Sequence, residues 1–295
     1  MSVDQAAAAE RDAILIVSAG IMQIPAIRAA KAAGLYVIAS DQNRQAPGFA
    51  LCDEALVLDT KDIDAHILWA KQNCERVRLK GAFAGADVAV TVAAVTNALG
   101  LPGIPVDVAV RSNDKSKMKA RWLRDGIPTP YAEEASTLIE ARRVLERIGL
   151  PAMVKAVDNA ASRGSQRIDD ESELPAAFEA ARAASRTHTA IIEEYVFGDE
   201  QSVETIVYQG RHYHVGMADR RFGFRPYHIE TAHIDPSTLS AERQRRIYEV
   251  VDAAAESLGI DFGPAKADMI WTERGPMILE MPARLRGNHR PRGGV

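Results

Sequence analysis

The sequence predicts two kinds of architecture in one chain: an α/β domain with a parallel, doubly wound sheet, then an α+β module. Three observations carry that expectation. Residues 13–112 alternate short, continuously apolar, β-branched runs with helical patterns, as strands covered on both faces by crossover helices require. The remainder groups its strands around tight turns, at Gln209-Gly210 and at Glu273-Arg-Gly275. A chain of 295 residues, 47% hydrophobic, is also long enough to bury more than one core.

Taken in order, Ala13-Ile-Leu-Ile-Val17 is an uninterrupted apolar run bounded by Ser18-Ala19-Gly20 and reads as a buried strand. A helical pattern follows through Pro25 and Ala26 to Ala33, and Gly34 is placed to stop it. Residues 35–39 form the next buried strand, which ends at Asp41. Further strands are expected at 55–58 and 82–84, with helices between them. Leu101-Pro-Gly-Ile-Pro105 punctuates the end of the first domain. Asn113 is expected to cap a helix over 114–124, which Gly126 and Pro128 terminate; Thr137 caps a second that runs to Ile148. A helix over 171–185 and a strand at 190–194 come next. Strands at 201–208 and 212–217 pair around Gln209-Gly210, a long helix over 241–258 ends at Gly259, and strands at 265–271 and 276–281 close the module. Arg220 to Glu230 reads as a loop between strands. There is no internal repeat.

Composition excludes several classes of partner. The net charge is −4 and the pI about 6.0, which offers no basic surface for nucleic acid or for a membrane. No run approaches the length of a membrane span, and the Ala-rich, polar start (1–12) lacks an apolar signal core and is expected to be disordered. Cys52 and Cys74 are the two cysteines, without CxxC or Cys/His clustering, so neither a disulfide framework nor structural zinc is indicated. They are expected to pack as small hydrophobes in a reducing cytoplasm.

The strand, glycine turn and helix near the start, with Asp41 beyond, invite a dinucleotide-binding reading. The fingerprint needs three glycines, and Ser18-Ala-Gly-Ile-Met-Gln23 keeps one. Gln23 stands where the helix-packing glycine should be. Nicotinamide binding is therefore set aside, and Asp41 and Asp87 are read as strand-end residues near a cleft.

The chemistry-bearing stretches lie downstream. Pro151-Ala-Met-Val-Lys155 is an apolar run ending in a lysine, followed by a small-residue loop closed by Ser162-Arg163-Gly164. Small side chains let a loop lie close over a ligand, and its amides, with Lys155 and Arg163, offer donors to an anion such as phosphate. An edge strand running into a surface turn would look the same, so the downstream order decides. Glu193, Glu194, Glu200 and Glu204 follow, the last two on one face of a strand by period-two spacing. Asp268 and Glu280 flank a tight hairpin, so both carboxylates can converge on one ion. Paired carboxylates without a neighbouring His or Cys suit a hard cation such as Mg²⁺.

This order of motifs resembles the ATP-grasp superfamily, carboxylate–amine ligase type, over nearly the whole chain. Asn113-Asp-Lys-Ser-Lys-Met-Lys…Gly126-Ile-Pro-Thr-Pro130 is similar to the family's lysine-bearing start of the grasp domain. The run 151–164 resembles its phosphate-covering flap, and Ile192-Glu-Glu-Tyr-Val-Phe-Gly-Asp-Glu200 its adenine and ribose segment. Lys266-Ala-Asp268 and Ile278-Leu-Glu280-Met-Pro-Ala-Arg284 resemble its metal-binding end. The stretch from Ile21 to Asp41 resembles the Rossmann-like domain that precedes the grasp. The resemblance implies a Rossmann-like domain over 13–112, a small lobe with the flap over 113–190 and a large lobe with the metal site over 191–295.

It also implies roles. Lys115 and Lys155 contact the ATP phosphates, with Ser162, Arg163 and Gly164 in the flap. The backbone of Glu193, Glu194, Tyr195 and Val196 reads adenine, and Glu200 holds the ribose. Asp268 and Glu280 bind Mg²⁺, and Arg284 sits by the γ-phosphate and the developing acyl phosphate. The cofactors are then ATP and Mg²⁺, and the partners a small-molecule carboxylate and an amine; a homodimer is compatible with the pattern. A ligase of this kind activates the acid as an acyl phosphate and releases ADP and phosphate. A carboxylase or carbamoyl-phosphate-synthase-like enzyme, and a catalytically weak ATP-binding homologue, are the alternatives.

The chain departs from the pattern in three places. Asp158-Asn-Ala-Ala-Ser162 has no glycine before Gly164. Pro282 stands where an asparagine ligand is frequent, which leaves Asn288 or a water to replace it. The basic, Gly/Pro-rich end, Arg290-Pro-Arg-Gly-Gly-Val295, is expected to be disordered, truncated or divergent. In Arg220-Arg-Phe-Gly-Phe-Arg-Pro-Tyr-His-Ile-Glu230, arginines and aromatic rings could shape a pocket for an acidic substrate, with Arg221, Arg225 and His228 as its contacts. An ordinary solvated connection remains the other reading of that segment.

Overall fold

A computed structural model describes residues 11–159 and 163–285, and the chain divides into two units: residues up to Val110 with the segment from Arg284, and Arg111–Ala283. The mixed α/β and α+β class expected from the sequence is the class observed.

The first unit is a four-stranded parallel sheet ordered β3-β2-β1-β4, with β1 Ala13–Val17, β2 Tyr36–Ser40, β3 Glu54–Leu56 and β4 Leu79–Phe83. Helices α1 Ile24–Ala32 and α2 Ile63–Asn73 connect strands, and α3 Ala89–Ala98 follows β4. The apolar run of β1 is continuous because both of its faces are covered. Ala13, Leu15 and Val17 pack with Ala70 of α2 and Val95 of α3, whereas Ile16 packs with Ile27 and Ala30 of α1. Gly34 ends the first helix at φ +80°, as its position predicts. Strand β4 starts before residue 82, because Lys80 and Gly81 interrupt the apolar signal that would announce it. Arg11 and Asp12, expected within a disordered start, are tied in: the Asp12 carbonyl accepts from Tyr36 N at 2.9 Å and Arg11 lies near Asp53. Residues 1–10 lie outside the described residues. Gln23 is buried and its Oε1 accepts from Gly85 N at 2.9 Å, so a side chain fills the place of the helix-packing glycine. Cys52 and Cys74 are half-buried thiols packed against the two cores.

Helix α4, Val106–Ser112, carries the chain into the second unit. The next helix, α5 Lys115–Asp125, is capped by Asp114, whose side chain accepts from Lys117 N; Asn113 is one residue too early. Gly126 ends it in the left-handed region. A four-stranded antiparallel sheet follows, ordered β5-β8-β6-β7, with β5 Ala132–Ala135, β6 Ala152–Ala156, β7 Gln166–Ile168 and β8 Ala190–Glu194. Strand β8 pairs with β5 and β6, so this sheet extends through Glu194 rather than dividing at 190/191. Helices α6 Leu138–Ile148 and α7 Leu174–Ala184 cover one face, burying Val144, Leu145 and Phe178 against Ala152, Val154, Ala190 and Ile192. Thr137 and Glu140 form a complete capping box on α6. The helix expected over 171–185 begins as a 3-10 turn at Glu171–Glu173 before α7, because Pro175 suits a first turn.

The second sheet is five-stranded and antiparallel, ordered β11-β10-β9-β12-β13: β9 Asp199–Tyr208, β10 Arg211–Gly223, β11 Ile229–Ile234, β12 Phe262–Thr272 and β13 Gly275–Glu280. Gln209 and Gly210 both take positive φ, the two-residue hairpin turn that their types predict. The loop expected over 220–230 is instead the end of β10, a short turn and the start of β11. Its arginines and aromatics hide the alternation that would mark a strand. Helix α8, Ala241–Leu258, runs from Ser240 to Gly259 and buries Ile247, Val251 and Ala254. Among the described residues, no helix is long and apolar enough to cross a membrane.

Candidate active site

Period-two alternation sorts the side chains of the smaller sheet. Ala152, Val154, Ala190 and Ile192 face the helices, which leaves Lys155 and Glu193 on the opposite face. In the antiparallel register Lys155 lies across from Ile191 and Met153 from Glu193, so the lysine and glutamate are diagonal neighbours, and their side chains meet in a direct ion pair. On the larger sheet Asp268 is the Cα partner of Glu280 on one side and of Ser202 on the other. These three residues share one face, with Glu200, Arg220 and Lys266.

The helix α5 contributes two more ammonium groups. Lys115 Nζ lies 3.3 Å from Glu280 Oε1 and donates to Asn159 O at 2.6 Å, while its backbone N–H bonds Val157 O. Lys119, one turn on, is buried at 2% exposure; its Nζ lies 2.5 Å from Glu193 Oε1, 2.7 Å from Thr129 Oγ1 and 3.4 Å from Ile278 O. Across the larger sheet, Asp268 Oδ1 lies 2.5 Å from Lys266 Nζ and 2.8 Å from Arg220 Nη1. Arg220 also reaches Glu230 (2.8 Å) and Glu200 (3.5 Å), and His228 Nε2 lies 2.7 Å from Glu200 Oε1. Opposite charges thus alternate along one continuous basin.

Burial sets the protonation states. Desolvation lowers Lys119 to about 8, more than the attraction of Glu193 raises it. Burial alone would raise Glu193, but Lys119 and Lys155 outweigh it and hold the carboxyl at about 2. Both values leave an ammonium and a carboxylate at neutral pH, so the ion pair stands. Burial opposes the Lys155 charge, yet Glu193, with Glu280 and Glu200 further off, raises its pKa. Lys266 is lowered, first by desolvation, while the carboxylates around Arg220 raise that guanidinium against its burial.

The structure brings together Lys115, Lys155, Glu193, Glu200, Asp268, Glu280 and His228, all in the second unit. Other expected site residues have different partners. Glu194 pairs with Arg274 at 2.6 Å, and Tyr195 stacks under the Arg167 guanidinium, 4.3 Å from the ring centroid; Val196 follows, half-buried. Arg163 is exposed and its Nε donates to Asn159 Oδ1 at 3.0 Å. Gly164 takes φ +68° and a Cβ there would lie 2.6 Å from the Ala184 Cβ, so close packing against α7 demands this glycine. Ser162 and Asn288 lie outside the described residues. Arg284 belongs to the first unit, where its guanidinium ion-pairs with Asp87. Arg221 is exposed, 3.9 Å from Asp199, and Arg225 is exposed in the turn. The guanidinium in the basin is that of Arg220.

Lys119, Lys266 and Arg220 were therefore missed by motif reasoning. A signal existed for each. Lys119 lies four residues after Lys115, between Met118 and Trp122, and so on the apolar side of its helix. Lys266 and Arg220 fall at even spacing from assigned carboxylates on the same or paired strands.

The donor set fits an anion chelated to a hard cation. Mg²⁺ bound with nucleotide phosphates needs one or two protein carboxylates, and Asp268 and Glu280 are cross-strand partners. Among the described residues no larger group of His, Cys, Asp or Glu could hold a metal. Ser116 Oγ beside Lys115 and Ser202 Oγ between the strands are buried with no hydrogen-bond partner among the described residues. Such atoms suit a polar ligand.

Residues 148–291 match the model of the ATP-grasp domain. The chain is 27% identical to the protein y4rH of Sinorhizobium fredii, over 81% of this chain and 50% of the relative. It is 28% identical to an alanine–anticapsin ligase of Bacillus subtilis, over 64% of this chain and 44% of that protein. The chain thus spans about half the length of these curated relatives. An L-amino acid ligase from Bacillus licheniformis has the same fold, with a TM-score of 0.77 at 24% identity, covering 94% of this chain and 68% of that one.

Proposed function

We propose that this chain is an ATP-dependent ligase that activates a carboxylate as an acyl phosphate and joins it to an amine, releasing ADP and phosphate. The observation that carries the reading is the single basin in which Lys115 meets Glu280 and Lys155 meets Glu193, with Asp268 paired to Glu280 across the hairpin. Bound MgATP supplies the phosphoryl group and, through the metal, neutralises charge on it. The chain's own residues position and stabilise. Lys155 and Lys115 take the phosphates as donors, and Asp268 and Glu280 hold the metal. The backbone from Glu193 to Val196 meets the adenine edge and Glu200 the ribose. Ser162, Arg163 and Gly164 cover the phosphates.

The relatives' names, alanine–anticapsin ligase and D-alanine–D-alanine ligase, make amino acids the first substrates to test on both sides of the bond. His228, held by Glu200, is the proposed contact for an acidic substrate; Arg221 and Arg225, exposed to solvent, could meet one only outside the basin. Two free thiols suit a reducing cytoplasm, and light scattering tests the homodimer.

The test is an ADP-release screen over paired carboxylates and amines with Mg²⁺ present. Turnover should require both acid and amine, and Lys155→Ala or Glu280→Ala should lose at least about a hundredfold in kcat/KM with the fold retained. Unchanged phosphate release in both variants sinks the assignment. ADP formation driven by bicarbonate without an amino acid would move the protein to the carboxylase reading.

A further inference from the structure

We infer that Lys119 is a positioning residue for nucleotide phosphate: it neutralises Glu193 so that the charge of Lys155 remains available to the ligand. The inference rests on the proposed ATP reading and concerns a residue without a cavity-facing role of its own.

The geometry is a buried Lys–Glu–Lys bridge. One oxygen of Glu193 lies 2.5 Å from Lys119 Nζ, and the other is in direct contact with Lys155 Nζ. Lys119 is sealed in, at 2% side-chain exposure, whereas Lys155 keeps 17%. Three oxygens surround Lys119 Nζ: that of the Glu193 carboxylate in an ion pair, and those of the Thr129 hydroxyl and the Ile278 carbonyl as hydrogen-bond acceptors. Thr129 in turn donates to Ile278 O at 2.7 Å, so the hydroxyl is also spent internally. A lysine with its donors filled in this way cannot turn toward a ligand. Its position could be filled by an apolar side chain of the same length, which makes a buried ammonium a costly choice if packing were the sole purpose.

The charges supply the purpose. Two ammonium groups and one carboxylate leave a net charge of +1, and Lys155 is the member able to present it outward. Without Lys119, Glu193 would pair with Lys155 alone. That pair is neutral and would hold the ammonium against its own carboxylate. Glu280 and Glu200 also act on Lys155, but from further off. The inward carboxylate is therefore the competitor that must be neutralised before Lys155 can serve an anion.

Equilibrium binding of MgATP, and separately of inorganic tripolyphosphate, tests this with Lys119→Met, Lys119→Gln and the double variant K119Q/E193Q. Lys119→Gln keeps hydrogen-bond donors in the pocket but removes the charge, so it serves if the methionine variant does not fold. Both single variants should bind either ligand about tenfold or more weakly while still unfolding cooperatively. The double variant, which again leaves Lys155 with an uncompensated charge, should recover most of the lost affinity. Wild-type affinity in folded Lys119→Gln, or no recovery in the double variant, overturns the inference while leaving the ATP reading intact. If the wild-type protein binds neither ligand, the ATP reading falls first and this inference with it.

Discussion

Glu193 is a carboxylate buried between two ammonium groups, and its titration should mark the acid limit of the fold. Its folded value, about 2, lies below the ordinary 4.5. A depressed carboxyl contributes stability that is fully present above about pH 4.5 and is lost as the pH falls toward 2. Urea unfolding of wild type and Glu193→Gln across that window isolates the contribution. The gap between the two proteins should shrink as the solution is acidified; a gap constant down to about pH 3 would mean that Glu193 does not sit between charged lysines. At the same scale, Asp219 shows how a buried carboxylate without a lysine is satisfied. It accepts from the Ser237 hydroxyl and from Thr238 N and Oγ1, at 2.9 and 2.6 Å, and these bonds hold it below the usual range against burial.

At the scale of elements, the turn between β8 and β9 decides whether the two sheets of the second unit can share a site. Gly198 lies against β12 so closely that an added Cβ would stand 2.1 Å from the Trp271 carbonyl oxygen. That atom is backbone in a paired strand, since Trp271 is the partner of Asp199, and it cannot move without disturbing the ladder. Gly198→Ala should therefore destabilise the protein by roughly 1–3 kcal/mol. Denaturant midpoints check this, and a variant within about 0.5 kcal/mol of wild type would contradict the close approach. The loop after β6 is held by the same kind of contact. Val157 O accepts from Lys115 N, Asn159 Nδ2 donates to Ala184 O, and Ala156 N donates to Gly164 O. The single glycine here serves packing against α7, which accounts for a loop otherwise poor in glycine.

At the scale of the whole molecule, each cation expected to bind phosphate and each carboxylate expected to bind metal already has a partner of opposite charge: Lys115 with Glu280, Lys155 with Glu193, and Asp268 with Lys266 and Arg220. MgATP would exchange these partners, lysine for phosphate and carboxylate for Mg²⁺, with no large change in local charge balance. Ligand binding should consequently raise the unfolding temperature strongly only with the metal. At a hundredfold excess over Kd the stabilisation is about 2.7 kcal/mol. Chelating Mg²⁺ with EDTA should remove most of that shift, because free ATP brings four negative charges toward Asp268 and Glu280 without a cation between them. Equal protection with and without metal would argue against those two carboxylates as its ligands.

What the chain's order alone determined was local. Strand β1 follows from an apolar run, α6 from Thr137 and Glu140, the β9–β10 turn from Gln209-Gly210, and α8 from its cap and terminal glycine. Each depends on backbone preferences and side-chain periods that act within a few residues. Pairing across the chain was decided only by the tertiary structure. Short strands such as β5, β7 and β11 exist because a neighbour completes their hydrogen bonds, and Lys119 becomes a buried counter-charge because β8 and β13 bring Glu193 and Ile278 to it. The same register chose Arg220 rather than Arg221 for the basin, since one residue along a strand reverses the face and only sheet pairing says which face is the site.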